Sequence, residues 1–403
     1  MRRFNQIGAT VIGTGFIGTV HVESLRRIGV DVRGVLGSTP ERGAARAEAM
    51  NVRHAYASLD EVLADPSVDV VHVTSPNHLH VRQASAILAA GKHVVCEKPL
   101  AMTAAESADL VRQADASGLV NAVNFNIRFY PVHPHMREVV EAGDLGSVRL
   151  VTGHYFQDWL FHDTDWNWRL DPDKGGGLRA VGDIGSHWLD LMAFVTGQPI
   201  VAVMADLATF IKQRHEPVGP VETFSTRRSS EAVERTVGTE DVATILLRFA
   251  NGARGSVAIS QISAGRKNSL QWEIDGSDGA AAWDSEMPDH LWFGHRDRPN
   301  EILLRNPALM GPAGQAASAL PGGHVEGFGD TFGALFRAIY ADVANGRPSP
   351  NPPYATFAAG HDEMLVNDAI ALSAREQRWV GVDRSPAIVR HSDAPTATAE
   401  VHG

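Results

Sequence analysis

The sequence predicts two domains in series: an α/β domain on a doubly wound parallel sheet, then an α+β domain on a mostly antiparallel sheet. Three observations carry this. At 403 residues the chain suits two cores better than one. From residue 8 to about 125, short apolar runs alternate with helix-period segments, the rhythm of a parallel sheet covered by helices. After about residue 126, strand-like runs instead follow one another across short turns.

In order, ATVIG is the first strand, and the helix after it places Ile17, Val20 and Ile28 on its buried face. DVRGVLG is the second strand, and PERGAARAEAM opens a helix with proline in its first turn. VDVVHVTS, KHVVCEK and LVNAVNFN are further strands. Between them lie the helices NHLHVRQASAILAAG, stopped by glycine, and AAESADLVRQADASG. A helix near 131–143 leads into the second domain. There VRLVTGHYFQ, PIVAVMADLATF, DVATILLRF, GARGSVAISQIS, SLQWEIDGS and GAAAWDS read as strands, with hairpin-like turns at ANGA and DGSDG. FGALFRAIYADV carries Phe332, Leu335, Phe336, Ile339, Tyr340 and Val343 as a buried helical stripe. The polar stretch 213–238 reads as an inserted loop, 305–325 is Ala/Gly/Pro-rich, and 386–403 reads as a disordered tail. The expected domains are thus 1–126 and 127–385.

Composition narrows the function. A formal net charge of −11 with no basic run argues against nucleic acid as the main partner. Cys96 is the only cysteine, so an internal disulfide and a Cys-rich metal site are both excluded. No stretch approaches the roughly 20 apolar residues of a membrane span, and the N-terminal segment lacks a signal-peptide core. The expected location is the cytoplasm.

GTGFIG, Gly13 to Gly18, matches G-x-G-x-x-G between a strand and a helix. There Gly13 makes the tight turn, Gly15 admits a pyrophosphate to the backbone, and Gly18 lets helix and strand pack closely. The phosphates then rest on the helix N-terminus. No Lys-Ser/Thr pair follows, so a Walker-type ATP loop is excluded. NAD sites usually place an acid at the end of the second strand. Here VLGSTPER puts Ser38 and Thr39 at that place, with Arg42 beyond it in reach of a 2′-phosphate. NAD and NADP both stay open. CEKPL ends the fourth strand, and ligands bind beyond the carboxyl ends of such strands, so Lys98 projects into the crevice. Pro99 restricts Lys98 to an extended backbone and aims it.

GGGLRAVGDIGSHWLD places Asp183 and His187 one helical turn apart on a shared face, just after a run of glycines. A metal reading takes Asp183 and His187 as two ligands at i,i+4 and weighs His154 as the third, a partner that the sequence cannot establish. HYFQDWLFHDTDWNWRLDP supplies Tyr155, Trp159, Trp166 and Trp168, aromatic faces of the kind that stack on sugar rings. Arg128 and Tyr130 lie at the expected domain junction, where pockets often form. His324 and Glu326 are candidates to close the pocket, and Asp190 reads as a structural helix residue.

Together GTGFIG, TSPNHLH (Thr74–His80), CEKPL and GGG…DIGSHWLD resemble, in order and over roughly residues 7–380, the glucose–fructose oxidoreductase/inositol dehydrogenase (Gfo/Idh/MocA) family. The resemblance implies a Rossmann domain followed by an α+β domain with a large open sheet, which commonly pairs subunits into dimers or tetramers. It implies that Lys98, Asp183 and His187 are catalytic. It places Thr74, Ser75, Pro76, Asn77 and His80 on the cofactor side, with Trp168 and Arg169 near the nicotinamide. Thr14, Phe16, Ile17, Glu97 and Asn126 complete the expected cofactor contacts. Five residues, rather than the family's usual three or so, separate Gly177 from Asp183, which makes Arg179 a candidate substrate contact. The implied activity is NAD(P)-dependent oxidation of a secondary hydroxyl of a sugar, polyol or glycoside. His187, ordinarily titrating near pH 6.5, is then the general base. Asp183 orients it or binds a neighbouring hydroxyl, and Lys98 stabilises alkoxide charge. Two rivals stand beside this reading: a redox-neutral glycoside-cleaving enzyme that keeps its NAD, and a nucleotide-binding regulator without catalysis.

Overall fold

The computed structural model describes residues 2–219 and 231–385. Its first sheet holds six parallel strands in the order β3-β2-β1-β4-β5-β6. These are β1 (Gly8–Ile12), β2 (Asp31–Leu36), β3 (Ala55–Tyr56), β4 (Val70–Val73), β5 (His93–Cys96) and β6 (Asn121–Val123). Helices α1 (Phe16–Arg27), α2 (Pro40–Ala49), α3 (Leu59–Ala64), α4 (His80–Ala89) and α5 (Ala104–Ser117) alternate with them. β1 and β4 are buried throughout because helices cover both sheet faces, which is why their sequences are continuous apolar runs. Strand order reverses between β1 and β4, so the ligand crevice opens beyond their carboxyl ends. In α1 the fully buried face is His21, Val22 and Leu25, while Ile17, Val20 and Ile28 flank it, partly buried.

The second sheet has nine strands in the order β16-β15-β14-β13-β7-β12-β11-β8-β17. In chain order α6 (Val132–Ala142), β7 (Leu150–Phe156), α7 (Pro172–Gly175) and α8 (Ser186–Thr196) lead to β8 (Ile200–Ala208) and to a separate hairpin, β9 (Gln213–Pro217) and β10 (Ala232–Thr236). The sheet then continues with β11 (Val242–Phe249), β12 (Arg254–Ser260), β13 (Ser269–Asp275), β14 (Ala280–Asp284), β15 (His290–Gly294) and β16 (Glu301–Leu304). Helices α9 (Pro312–Ala317), α10 (Phe328–Asn345) and α11 (Phe357–Glu376) and the short β17 (Val380–Gly381) complete the described chain. Neighbours are antiparallel except β7 with β12, a parallel pair at the centre. The loop expected over 213–238 is a two-stranded ribbon running from Gln213 opposite Thr236 to Pro217 opposite Ala232. All five residues of β10 are exposed, so no buried alternation marked it as a strand. Residues 220–230 of that stretch, and the tail expected at 386–403, lie outside the described residues.

Helix α8 is apolar nearly all round and buried along its whole length, so it is the central helix of the second domain and has no solvated face. The stripe expected from Phe332 to Val343 is buried on α10, but against the first domain: it joins the core of Ile7, Val11, Val22 and Leu25. α11 likewise packs on α5 and β6 as well as on β8. The boundary at 126/127 therefore describes chain order, while both C-terminal helices return to the first sheet. No helix among the described residues is long and apolar enough to cross a membrane.

Candidate active site

The glycine turn is shaped for a close ligand. Gly13 has φ +95°, and a Cβ there would lie 2.5 Å from the Thr74 carbonyl oxygen. A Cβ on Gly18 would lie 2.1 Å from the Gly13 oxygen, so strand and helix meet only because both are glycine. Gly15 differs: a Cβ there meets nothing within 4 Å, and no side chain caps the first turn of α1. That open approach to a helix N-terminus fits a pyrophosphate. Thr74 Oγ1 donates to the Gly13 carbonyl at 2.8 Å and ties the loop to β4. Thr14 accepts at its carbonyl from Arg46 Nε at 2.8 Å, while Phe16 stands 46% exposed at the mouth. At the end of β2, Thr39 caps α2 by accepting from the Arg42 N–H, and Arg42 Nη1 lies 3.5 Å from Ser38 Oγ.

The rest of the expected cofactor motif braces the crevice. His80 spans the carbonyls of Ser75 and Pro99, each at 2.8 Å, and Ser75 Oγ donates to Gln83 at 2.6 Å. Asn77 Nδ2 donates to the Gly175 carbonyl at 2.8 Å, joining the first domain to the glycine run of the second. Two further residues expected on the cofactor side are buried and hydrogen-bonded within the protein. Glu97 is buried and accepts from His21 and Asn124, and the amide of Asn126, also buried, donates to Thr331 of α10.

Lys98, Asp183 and His187 converge although 85 residues separate the first two. Lys98 Nζ donates to Asp183 Oδ1 at 2.9 Å and to the Asp183 carbonyl at 2.6 Å, which leaves one ammonium proton. Arg169 Nε lies 3.0 Å from the same Oδ1, and its guanidinium sits 4.3 Å from the Trp168 ring centroid. Gln261 Nε2 donates to Asp183 Oδ2 at 2.8 Å. The turn that carries Asp183 is itself unusual, because Val181–Gly185 winds as a π-helix before α8 begins. Such turns recur at functional sites. Burial works against ionisation of Asp183, but Arg169 and Lys98 overcome it and hold the carboxyl well below the usual carboxylate range. His187, 8% exposed and edge-on to Phe125, is pushed down to about 3 by burial and by Lys98. It is therefore a neutral imidazole. Its Nδ1 is buried without a hydrogen-bond partner.

Several expected substrate contacts lie elsewhere. Arg179 is fully buried in an ion pair with Asp241, because its glycine-flanked segment passes behind Asp183 and not in front of it. Tyr130 packs on His133 and Trp283 in the core, and Tyr155 donates to Asn268 from a buried position. His324 is exposed, in contact with Gly322 and, through its carbonyl, Arg305; Glu326 is buried against Arg305, beyond the edge strand β16. His154 points from the face of β7 opposite to the one on which Trp188 of α8 packs, as the period of two requires, so it cannot join Asp183 and His187. Arg128 remains at the junction, held bidentate by Asp190 and stacked 4.8 Å from the Phe194 centroid. Trp159 and Trp166 flank a small apolar cluster of Leu160, Leu170 and Val237. Gln261 was missed: it follows the last residue of β12 with no local motif around it, and only its place at a strand end beside the site marks it.

A doubly wound sheet with an open glycine turn, and a lysine, aspartate and neutral histidine gathered beside it, define an NAD-binding oxidoreductase. Residues 7–125 match the oxidoreductase family with an NAD-binding Rossmann fold, and residues 133–282 match the GFO/IDH/MocA C-terminal domain. Levoglucosan dehydrogenase of Pseudarthrobacter phenanthrenivorans is 30% identical over 385 residues, covering 92% of this chain and 97% of that protein. The chain belongs to the Gfo/Idh/MocA family. The 1,5-anhydro-D-fructose reductase of Ensifer adhaerens is 34% identical over 196 residues, 48% of this chain and 56% of that one. Among solved structures, levoglucosan dehydrogenase in complex with NADH and L-sorbose superposes with TM-score 0.83 at 29% identity, covering 94% of this chain and 99% of that one.

Proposed function

We propose that this enzyme oxidises a secondary hydroxyl of a sugar or anhydrosugar, with His187 as general base. The observation that carries the reading is the convergence of His187 with the Asp183–Lys98 ion pair at the carboxyl end of β5. A bound nicotinamide nucleotide would supply the hydride acceptor. The open backbone at Gly15 and the first N–H groups of α1 would hold its phosphates, with Gly13 and Gly18 shaping the turn, and Ser38, Thr39 and Arg42 lie where its adenosine ribose would reach. His187 Nε2 takes the hydroxyl proton. The remaining Lys98 proton is directed at the same oxygen as it gains negative charge, and Asp183 keeps the ammonium in place. General acid–base help of this kind is worth on the order of 10²–10⁴ in rate. The names of the two relatives support a cyclic sugar derivative as substrate class, and half-exposed Trp159 and Trp166 offer it ring faces.

The test is a panel of anhydrosugars, free sugars, inositols and glycosides, each with NAD⁺ and NADP⁺. Stoichiometric reduced nicotinamide with one of them is the expected result. Glycoside cleavage with no net reduced nicotinamide would replace the reading with the redox-neutral one. A panel without turnover, together with a nucleotide-dependent rise in melting temperature, would leave the nucleotide-binding regulator.

We also infer that the outer face of the nine-stranded sheet pairs two copies of the chain. Leu150, Met204, Leu246, Ile302 and Leu304 are between 37% and 63% exposed there, apolar side chains that a second copy would cover. Light scattering showing a dimer or tetramer in wild type, dissociated by Leu246→Arg with Ile302→Arg, is the expected outcome.

A further inference from the structure

Behind Asp183 lies a group of buried charges that the reaction above does not use. The side chains of Arg179, Arg214 and Asp241 are completely buried, and both arginines pair with Asp241. Asp241 also accepts the N–H groups of Phe210 and Ile211, at 2.7 and 2.9 Å. Glu240 accepts the N–H groups of Arg179 and Val181, each at 2.9 Å. From this centre two arms reach the site. Along one, Arg179 Nη1 approaches Gln261 Oε1 at 3.4 Å, and Gln261 Nε2 donates to Asp183 Oδ2 at 2.8 Å. Along the other, Arg214 Nη1 donates to the carbonyls of His162 at 2.9 Å and Asp165 at 3.3 Å. That segment runs on to Arg169, whose Nε meets Asp183 Oδ1 at 3.0 Å. The contacts close a ring through Asp183, Gln261, Arg179, Asp241, Arg214 and residues 162–169.

Two physical points give the ring a function. Gln261 has one orientation that satisfies both ends: oxygen toward Arg179, amide toward the carboxylate. With Lys98 and Arg169 on Oδ1 and Gln261 on Oδ2, the carboxylate of Asp183 cannot turn. A buried guanidinium is held by its ion pair and hydrogen bonds, and those of Arg214 run to Asp241 and to the carbonyls of His162 and Asp165, so it links the segment bearing Trp159 and Trp166 to the same unit. Arg214 itself lies on β9, which brings the hairpin into that unit.

Resting on the dehydrogenase reading, we propose that Gln261 is a positioning residue that orients Asp183, and that the Arg179–Asp241–Arg214 chain fixes segment 159–168 as a substrate-selecting wall. The two effects separate kinetically. Orientation of Asp183 acts on the chemical step, whereas the wall acts on carbohydrate binding.

The full-length protein is compared with Gln261→Ala, Gln261→Glu, Arg214→Met and Arg214→Lys. Steady-state kinetics use the best substrate of the sugar panel, and hydrogen exchange is followed over 158–169 and 181–187 without substrate. Gln261→Ala is expected to lower kcat about 10- to 100-fold with little change in KM. Gln261→Glu faces a second carboxylate at Asp183, so its rate profile gains an ionisation that wild type lacks. Arg214→Met is expected to raise KM about tenfold with kcat nearly kept, and to speed exchange over 158–169. Should it fail to fold, Arg214→Lys, which keeps the charge but loses the fork, gives the same two readouts. Unchanged kcat in Gln261→Ala with an unchanged pH profile in Gln261→Glu, or unchanged KM and exchange in the Arg214 variants, overturns the proposal. If no sugar is turned over by wild type, the exchange arm still decides. Altered exchange then upholds the ring while the dehydrogenase reading fails, and unaltered exchange ends the ring.

Discussion

Lys98 donates to both the carboxylate and the main-chain carbonyl of Asp183, at 2.9 and 2.6 Å, so one ammonium group joins the end of β5 to the turn before α8. The bond to the carbonyl is the one that a change at the Asp183 side chain would leave intact.

Lys98→Met keeps much of the side chain's length and removes the charge. We expect kcat/KM for sugar oxidation to fall by about 10²–10⁴, while nucleotide still raises the melting temperature. Loss of nucleotide binding as well would move Lys98 from chemistry to cofactor capture.

His187 titrates far from its ordinary range, pushed down to about 3 by burial and Lys98. Its folded value lies below the unfolded value of about 6.5, so as pH falls the unfolded chain takes up the proton first. The contribution to stability is complete above about pH 6.5 and is lost as pH falls toward 3. Melting curves across that window should show a shallower acid decline for His187→Gln than for wild type. In the same window the oxidation rate should show no inflection near pH 6.5 from this base.

Glu363 on α11 behaves in the opposite sense. Burial, with Asp190 adding to it, pushes its carboxyl up to about 8. A raised folded value means stability that is present below the unfolded value of about 4.3 and is lost as pH rises through 8. Glu363→Gln removes the titration. Its melting temperature relative to wild type should therefore climb steadily between about pH 5 and 8, and a constant difference would contradict the buried, uncharged carboxyl.

The glycines of the turn should separate folding from binding. Gly13→Ala forces a side chain into a left-handed conformation against Thr74, and should cost about 1–3 kcal/mol of stability. Gly15→Val meets open space, so the free protein should stay within about 0.5 kcal/mol of wild type. The valine fills the phosphate approach, and the rise in melting temperature with NAD⁺ should vanish. Calorimetry with and without nucleotide reads both effects.

At the end of β2, Ser38 and Arg42 replace the acid that would repel a 2′-phosphate. We expect NADP⁺ to be accepted, with Arg42→Ala lowering kcat/KM for NADP⁺ about tenfold and leaving NAD⁺ nearly unchanged. Parallel assays with the two nucleotides settle the point.

Legibility along the chain followed local periodicity. Five of the six strands of the first sheet were readable, the central ones because burial on both faces makes them continuous apolar runs, whereas the two-residue edge strand β3 is too short to show a pattern; the glycine turn was readable because its backbone demands are local. The ribbon β9–β10 was not, since both strands are polar and exposed. β15 and β16, HLWFG and EILL, are short and separated by the charged turn HRDRPN, which hid them as a pair. The candidate site divided the same way: Lys98, Asp183 and His187 sit in recognisable motifs, whereas Gln261 sits in none.

By itself the sequence determined the architecture of two sheets, the nucleotide turn and the residue types of the candidate site, because each depends on short-range pattern. Tertiary structure alone decided what those residues do. It sent Arg179 behind Asp183 instead of toward a substrate, returned α10 to the first sheet, and made His187 neutral. The reason is physical: burial and the charges that face a group set its protonation and its partners, and in this chain those partners arrive from segments tens to hundreds of residues away.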